Sequence, residues 1–278
     1  MNKKDILCKE QKLSFDFFWN EVSLKEKTYG LIRDNTGHDV ASVASVGFGL
    51  SAIPTGVENK WITREEGYER ALKTLKTFFY NAEHKEGFFI HFLDMENASR
   101  TWQSEVSIID TALFLMGALT VGEYFGGEVN DYFEKIYARV NWNWYTDKQK
   151  NMFYMGYWYE KGFGGHWDLY AEQLMMYILG AASPTHPIDP EMYYTFGRNI
   201  GKYGDYEMIY TWTGSIFTYQ YTHAWIDFRK LKDRNGTNWF ENSVLASKAS
   251  RQYSIDMKSK YITFSENSWG LTACDSPT

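Results

Sequence analysis

Charge is distributed in blocks along this 278-residue chain, and the blocks constrain its fold more than any motif does. No Asp, Glu, Lys or Arg occurs between Asp39 and Glu58, from Thr111 to Gly122, from Gln173 to Ile188, or from Met208 to Ile226. Runs of that length suit a membrane span. These runs, however, carry Ser, Thr, Gly, Gln, His and Tyr throughout, and the mean hydropathy of the chain is −0.47. They therefore read as helices buried inside a soluble protein. Between them lie amphipathic segments, the clearest at residues 63–83. There Thr63 and Glu66 have the spacing of a capping box, and Tyr68, Ala71, Leu72, Leu75, Phe78 and Phe79 recur at helical intervals opposite Glu65, Glu69, Arg70, Lys73 and Lys76. That helix has one wet face. The stretch EVSIIDTALFLMGALTVG (residues 105–122) is apolar on every side after Asp110 and needs cover on every side.

The pattern predicts nine helices, near residues 4–22, 43–57, 63–83, 104–124, 128–140, 168–182, 189–199, 214–230 and 241–258, with aromatic, Gly-rich hairpins near 87–92 and 152–167. Alternation of buried with amphipathic helices points to an all-α fold of two concentric helical layers, an α/α toroid, rather than to a four-helix bundle. With nine helices in 278 residues each takes about 31, so a closed ring of twelve would need roughly 370, and the chain is about three helices short of it. Five prolines and no Ser/Gly/Pro-rich stretch argue for a single domain over residues 1–278, with the 44% apolar content of a globular core.

With 35 acidic against 29 basic side chains the chain carries a net charge of −6, which disfavours a nucleic-acid partner. Its aromatic content, 18%, suits both a wide core and stacking on the apolar faces of sugar rings. Cys8 and Cys274 lie near opposite ends and form neither a metal pair nor a disulfide framework. Six scattered histidines have no metal-ligand spacing, so neither metal nor cofactor is expected. Gly47, Gly49 and Ala52 spell G-x-G-x-x-A without a surrounding βα pattern, which makes the match a chance one. The opening MNKKDILCKE contains no apolar stretch of the kind a secretory leader needs. Neither a membrane partner nor an oligomeric state is read from the sequence.

Three segments carry residues with chemical potential. In GGHWDLYAEQLMMYIL (residues 164–179), Asp168 and Glu172 are four apart, on one face of a predicted helix that continues as Met176 and Leu179. The helix dipole would favour ionised Asp168, and desolvation would raise the pKa of Glu172, as a general acid requires. A capping Asp with a Glu paired to Lys161 is the structural alternative. In SRTWQSEVSIIDTALFLMGAL (residues 99–119), Asp110 enters an otherwise uncharged helix and Glu105 lies beside Trp102. A buried carboxylate persists only where it is paired, hydrogen-bonded or used, and backbone capping would serve both residues as well. In TWTGSIFTYQYTHAWIDFR (residues 211–229), Gln220, His223 and Trp225 supply the neutral hydrogen-bonding edges and apolar plates of a sugar cleft.

The strings GHDVASVASVGFGLSAIPTGVENKWITREEGYERAL, HWDLYAEQLMMYILGAASPTHPI, GSIFTYQYTHAWIDFR and ENSWGLTACDSPT together resemble the bacterial glucoamylase-like domain family, over nearly the whole chain from about Phe15 onward. That family includes the endo-β-1,2-glucanases of glycoside hydrolase family 144 and the glucan-processing domain of cyclic β-1,2-glucan synthases. The resemblance implies an (α/α)6 toroid lacking its C-terminal part here, and a glycoside hydrolase acting on a β-linked glucan. It also implies that Glu172 is the general acid and that Glu105 and Asp110 belong to the acidic group of the same cleft. Trp102, Trp167, Tyr170, Gln220 and His223 would contact sugar, with Arg100 and Asp168 alongside them. Family members continue past Asp275 to Thr278, and the continuing part supplies the second catalytic carboxylate. An inverting mechanism would set the two carboxyls about 6.5 to 9.5 Å apart, or farther with a relay. A glycan-binding module that grips sugar without cleaving it is the rival reading.

Overall fold

The computed structural model of the protein describes residues 2–272. The end of the motif ENSWGLTACDSPT, with Cys274, lies outside the described residues. The chain divides into two compact units. The first runs to Gln149 and includes Phe153–His166 and Ile178–Asp189; the second holds Lys150–Met152, Trp167–Tyr177 and the chain from Pro190 on.

In the first unit, α1 (Lys3–Asn20) opens on an Asn2 capping box. β1 (Val40–Ser42) leads into α2 (Val43–Glu58), which is followed by α3 (Arg64–Tyr80). Thr63 accepts from the Glu66 amide at 3.1 Å and the Glu66 carboxylate accepts from the Thr63 amide at 2.7 Å, so the expected capping box forms. After the short strands β2 (His84–Lys85), β3 (Phe88–Phe89) and β4 (Phe92–Asp94) come α4 (Ile108–Phe125) and α5 (Gly127–Arg139). β5 (Thr146–Asp147), β6 (Met152–Trp158) and β7 (Gly162–His166) form a three-stranded sheet in which β6 and β7 are antiparallel, Tyr154 pairing with His166 and Gly156 with Gly164. The hairpin expected at 152–167 is therefore present.

α4 is buried on nearly every side, as its lack of charge required, while α3 buries Ala71, Leu75 and Phe78 and exposes Arg64, Glu65, Glu66, Glu69 and Lys73, with Arg70 half-buried over the Trp19 ring. Phe78 stacks on Phe114 at 4.0 Å between ring centroids, and Phe89 meets both edge-on. Each fully buried ring stabilises the core by roughly 2 to 3 kcal/mol. By length and hydropathy α4 could cross a membrane, and most of it is enclosed by the protein.

α6 (Leu174–Ala181) begins in the second unit. That unit also contains β8 (Ile200–Tyr203), β9 (Tyr206–Ile209) and α7 (Trp239–Asp256). Asn242 of α7 donates to the Ile209 carbonyl at 3.0 Å and accepts from the Ile209 amide at 2.7 Å, fastening the β8–β9 hairpin to the helix. Tyr170 stacks on Trp239 at 4.3 Å, forming the aromatic centre of this unit.

Three helical expectations fail for identifiable reasons. The segment 168–182 becomes helical only at Leu174, because Gly197 donates to the Asp168 carbonyl at 2.7 Å and accepts from the Tyr170 amide at 3.0 Å, holding 168–170 extended. Residues 189–199 shorten to a 3-10 turn, Pro190–Tyr194. Residues 214–230 form three 3-10 turns, Ile216–Tyr219, Tyr221–Ala224 and Phe228–Lys230. This last stretch is dense in β-branched and aromatic side chains, which lose rotamer freedom in a helix, and its Thr218 and Thr222 hydroxyls donate to the Ser215 and Glu172 carbonyls. The described residues thus contain seven α-helices in place of nine, and nine short strands, of which only those near 87–92 and 152–167 were expected as hairpins. The structure is helix-rich, not purely helical.

Candidate active site

In the first unit an irregular ladder positions the carboxylates. Ser107 donates its amide to the Phe89 carbonyl at 2.8 Å, His91 to Glu105 at 2.9 Å, and Thr101 to Phe92 at 3.1 Å. Val106 is held on its other side by Tyr157, whose carbonyl accepts its amide at 2.8 Å. This ladder explains why α4 starts at Ile108 rather than near 104: Val106 is bridged to Ile90 and Tyr157, and the flanking Glu105 and Ser107 are hydrogen-bonded to His91 and Phe89. Ser107 caps the helix, accepting from the Asp110 amide at 3.2 Å and donating to the Asp110 carboxylate at 2.5 Å.

The ladder places Glu105 beside His91, and the first turn of α4 brings in Asp110 from behind. His91 Nδ1 stands 2.9 Å from Glu105 Oε1, and His91 Nε2 stands 3.7 Å from Asp110 Oδ1. Glu105 is 24% exposed and Asp110 7%, so Glu105 is the outward carboxylate and Asp110 its buried backing. Burial alone would lower the basicity of His91, but the charge of Asp110 and the hydrogen bond to Glu105 outweigh it and raise its pKa to about 9. Burial pushes the Asp110 carboxyl up, against the pull of His91. Burial also acts to raise Glu105, yet its hydrogen bond to His91 and that ring's charge bring it below the ordinary carboxylate value. The ligand atoms of these three side chains lie within 4.8 Å of one another. The two carboxylates address opposite ring nitrogens, Glu105 as a hydrogen-bond partner of Nδ1 and Asp110 at ion-pair distance from Nε2.

An aromatic wall rises from this cluster. Phe92 stacks on the His91 ring at 3.8 Å, and Trp102 meets Phe92 at 5.1 Å and His38 edge-on at 5.4 Å. Trp102 is 54% exposed. It and Gln103 have φ values of 52° and 51°, in the left-handed region that costs a residue with a side chain about 1 to 2 kcal/mol. Arg100 holds that conformation: it donates to the Ser104 and Gln103 carbonyls, each at 2.6 Å, and to both carboxylate oxygens of Glu160 at 2.6 and 2.9 Å. The donors of Arg100 expected to meet sugar are thus engaged in fixing the loop that presents Trp102.

The second unit contains the other predicted residues. Asp168 is exposed and Glu172 half-buried, and neither belongs to α6, so the helix-face and helix-dipole arguments made for them do not apply. Instead Gln173 organises this turn, accepting from the Ala171 amide at 2.6 Å and donating to the Leu169 carbonyl at 2.7 Å. Trp167 and Tyr170 are buried, Tyr170 against Trp239. Gln220 and His223 do come together, in an open groove of about 370 Å³ lined also by Tyr219, Phe240, Arg251 and Trp269. His223 lies 2.9 Å from the Ser243 hydroxyl through Nε2, and burial lowers its pKa.

Sequence reasoning missed His91. Its signal was present: a single ionisable residue in the buried run Phe88, Phe89, Ile90, before Phe92 and Leu93.

Residues 165–278 match a family model described as "Putative glucoamylase". The chain is 26% identical, over 99% of its own length and 43% of the relative's, to an exo-β-1,2-glucooligosaccharide sophorohydrolase of Parabacteroides distasonis. The crystal structure of a β-1,2-glucanase from the same species superimposes with a TM-score of 0.89 at 25% identity, covering 99% of this chain and 45% of the other. An endo-β-1,2-glucanase from Chitinophaga pinensis, in a sophorotriose and glucose complex, gives 0.87 at 25% identity, with coverages of 99% and 72%. The chain spans less than half the length of the two Parabacteroides proteins. These matches bear out the resemblance carried by the sequence motifs: the chain is related to the glucoamylase-like proteins and to the β-1,2-glucanases.

Proposed function

We propose that the chain provides glycoside-hydrolase machinery for a β-linked glucan, with β-1,2-linked glucose as the substrate class. The observation that carries this reading is the Glu105–His91–Asp110 cluster, in which one carboxylate is held ionised and its neighbour is pushed the other way beside an exposed tryptophan. Carboxyl groups driven apart in acidity, next to an aromatic plate, suit acid and base work on a sugar. The relatives' substrates support the glucan assignment.

In this proposal Glu172 gives its proton to the glycosidic oxygen as the bond from that oxygen to the anomeric carbon breaks. A carboxylate base takes a proton from the water whose oxygen attacks that carbon, a role to which the ionised Glu105 is suited. The exposed Trp102 offers a stacking surface to a sugar ring. Separately, the groove containing Gln220 and His223 offers hydrogen-bonding groups. Within the first unit, enclosed α4 packed against amphipathic α3 and α5 supports the two-layer helical arrangement read from the sequence. Glu172→Gln tests the acid role. Loss of several orders of magnitude in rate, with oligosaccharide affinity kept in calorimetry, is the expected result; full activity refutes the assignment.

A further inference from the structure

We propose that His91 is a positioning residue for the hydrolysis: its ring bridges Glu105 and Asp110 and holds Glu105, the outward member, ionised and in one orientation. Its catalytic meaning rests on the hydrolase reading above. The bridge itself does not.

Three observations carry it. The ring presents a different nitrogen to each carboxylate: Nδ1 is hydrogen-bonded to Glu105 at 2.9 Å, and Nε2 stands at ion-pair distance, 3.7 Å, from Asp110, so a cationic ring lies between two carboxylates. The ring is fixed at its backbone, because the His91 amide donates to the Glu105 carbonyl at 2.9 Å and the His91 carbonyl accepts from Val43 at 3.1 Å. Its faces and partners are fixed too: Phe92 covers the ring at 3.8 Å, and Ser107 grips the Asp110 carboxylate at 2.5 Å. Glu105 therefore has one orientation in which its inner oxygen is tied and its outward part meets solvent.

Among the described residues, these charged and titratable groups act most on the cluster. Asp110 approaches from α4, Glu105 from the preceding ladder, and Asp34 from the loop before β1. Arg100 acts on Glu105 from its own loop, and the Tyr145 phenol, which donates to the Val106 carbonyl, faces both carboxylates. Three anionic groups around one ring favour its cationic form, which in turn disfavours proton uptake by Glu105. Without the ring's charge, burial would raise the Glu105 carboxyl and leave it protonated over part of the working range.

The test uses the 278-residue chain with labelled histidine and glutamate side chains, followed by NMR titration in wild type, Glu105→Gln and His91→Gln, beside kcat and KM on a β-1,2-gluco-oligosaccharide. The His91 ring should be an imidazolium at neutral pH and titrate near 9, and Glu105→Gln should move that midpoint down by about one unit or more. His91→Gln should move the Glu105 midpoint up by about one unit, lower kcat at least tenfold with KM nearly unchanged, and carry the acid limb of the activity profile to higher pH. A ring that titrates near 6.5, or a Glu105 midpoint indifferent to His91→Gln, overturns the proposal. Glu105→Gln keeps the decision open to measurement if His91→Gln fails to fold. Failure of the hydrolase reading is separate: wild type would release no product while the ring still titrated near 9, and the bridge would stand.

Discussion

Gly117 of α4 and Gly47 of α2 touch backbone to backbone: a Cβ on Gly117 would stand 2.0 Å from the Gly47 carbonyl oxygen. Gly47 is equally confined, since its own Cβ would lie 2.4 Å from the Leu113 carbonyl oxygen. Both obstacles are backbone, so neither can turn aside as a side chain would. The two glycines set how closely α2 approaches the helix that carries Asp110. Gly117→Ala should therefore destabilise the first unit by about 3 kcal/mol, the upper range for overpacking, where a helix surface position would gain from alanine. Denaturant unfolding checks it.

The pairing of His91 with Glu105 and Asp110 predicts a particular pH dependence of stability. The His91 pKa is raised from 6.5 to about 9 in the folded chain, so its contribution is fully present below pH 6.5 and is lost as pH rises through 9. Up to about 3 kcal/mol is at stake from a shift of this size. Unfolding free energies measured between pH 6 and 10 should decline over that window in wild type. His91→Gln should be less stable at pH 6 and flatter across the window, because it leaves Asp110 buried without its cation.

Trp102 should show a trade between stability and ligand affinity. Glycine tolerates the φ of 52° there without side-chain strain, so Trp102→Gly should leave the melting temperature unchanged or raise stability by about 1 kcal/mol. The same change removes the exposed ring and should weaken oligosaccharide binding roughly tenfold in calorimetry.

Arg100→Lys should weaken that binding through a different route. A lysine cannot supply the fork that meets Glu160 twice while also donating to the Gln103 and Ser104 carbonyls. Faster amide hydrogen exchange at residues 101–104, with α4 unaffected, is the expected signature.

Ser107→Ala removes the cap of α4 and the hydroxyl that grips Asp110. A loss of about 1 to 2 kcal/mol in unfolding free energy is expected.

What was legible in the sequence was local. Thr63 and Glu66 disclosed the start of α3 through their spacing, and the absence of charge from Thr111 to Gly122 disclosed that α4 is enclosed. What was not legible depended on distant partners. The extended stretch before α6 exists because Leu169 pairs with Gly197, and propensity at residues 168–173 holds no trace of that pairing. Arg100, which the resemblance put alongside the sugar contacts, has its partner Glu160 60 residues away, beyond the reach of local sequence. His91 is 14 residues from Glu105 and read as one scattered histidine until the ladder between residues 89–92 and 101–107 joined them. Glu105 and Asp110 were recognised as chemically unusual, but the ring that couples them was not.

The most direct test of hydrolysis is to incubate the chain with β-1,2-gluco-oligosaccharides and follow the sugars by proton NMR from the first minutes. The account predicts new reducing ends whose first-formed anomer is α, the inverted product of a β linkage, with none from Glu105→Gln. Oligosaccharide that binds in calorimetry yet is recovered intact would contradict it and mark the protein as a glycan-binding one.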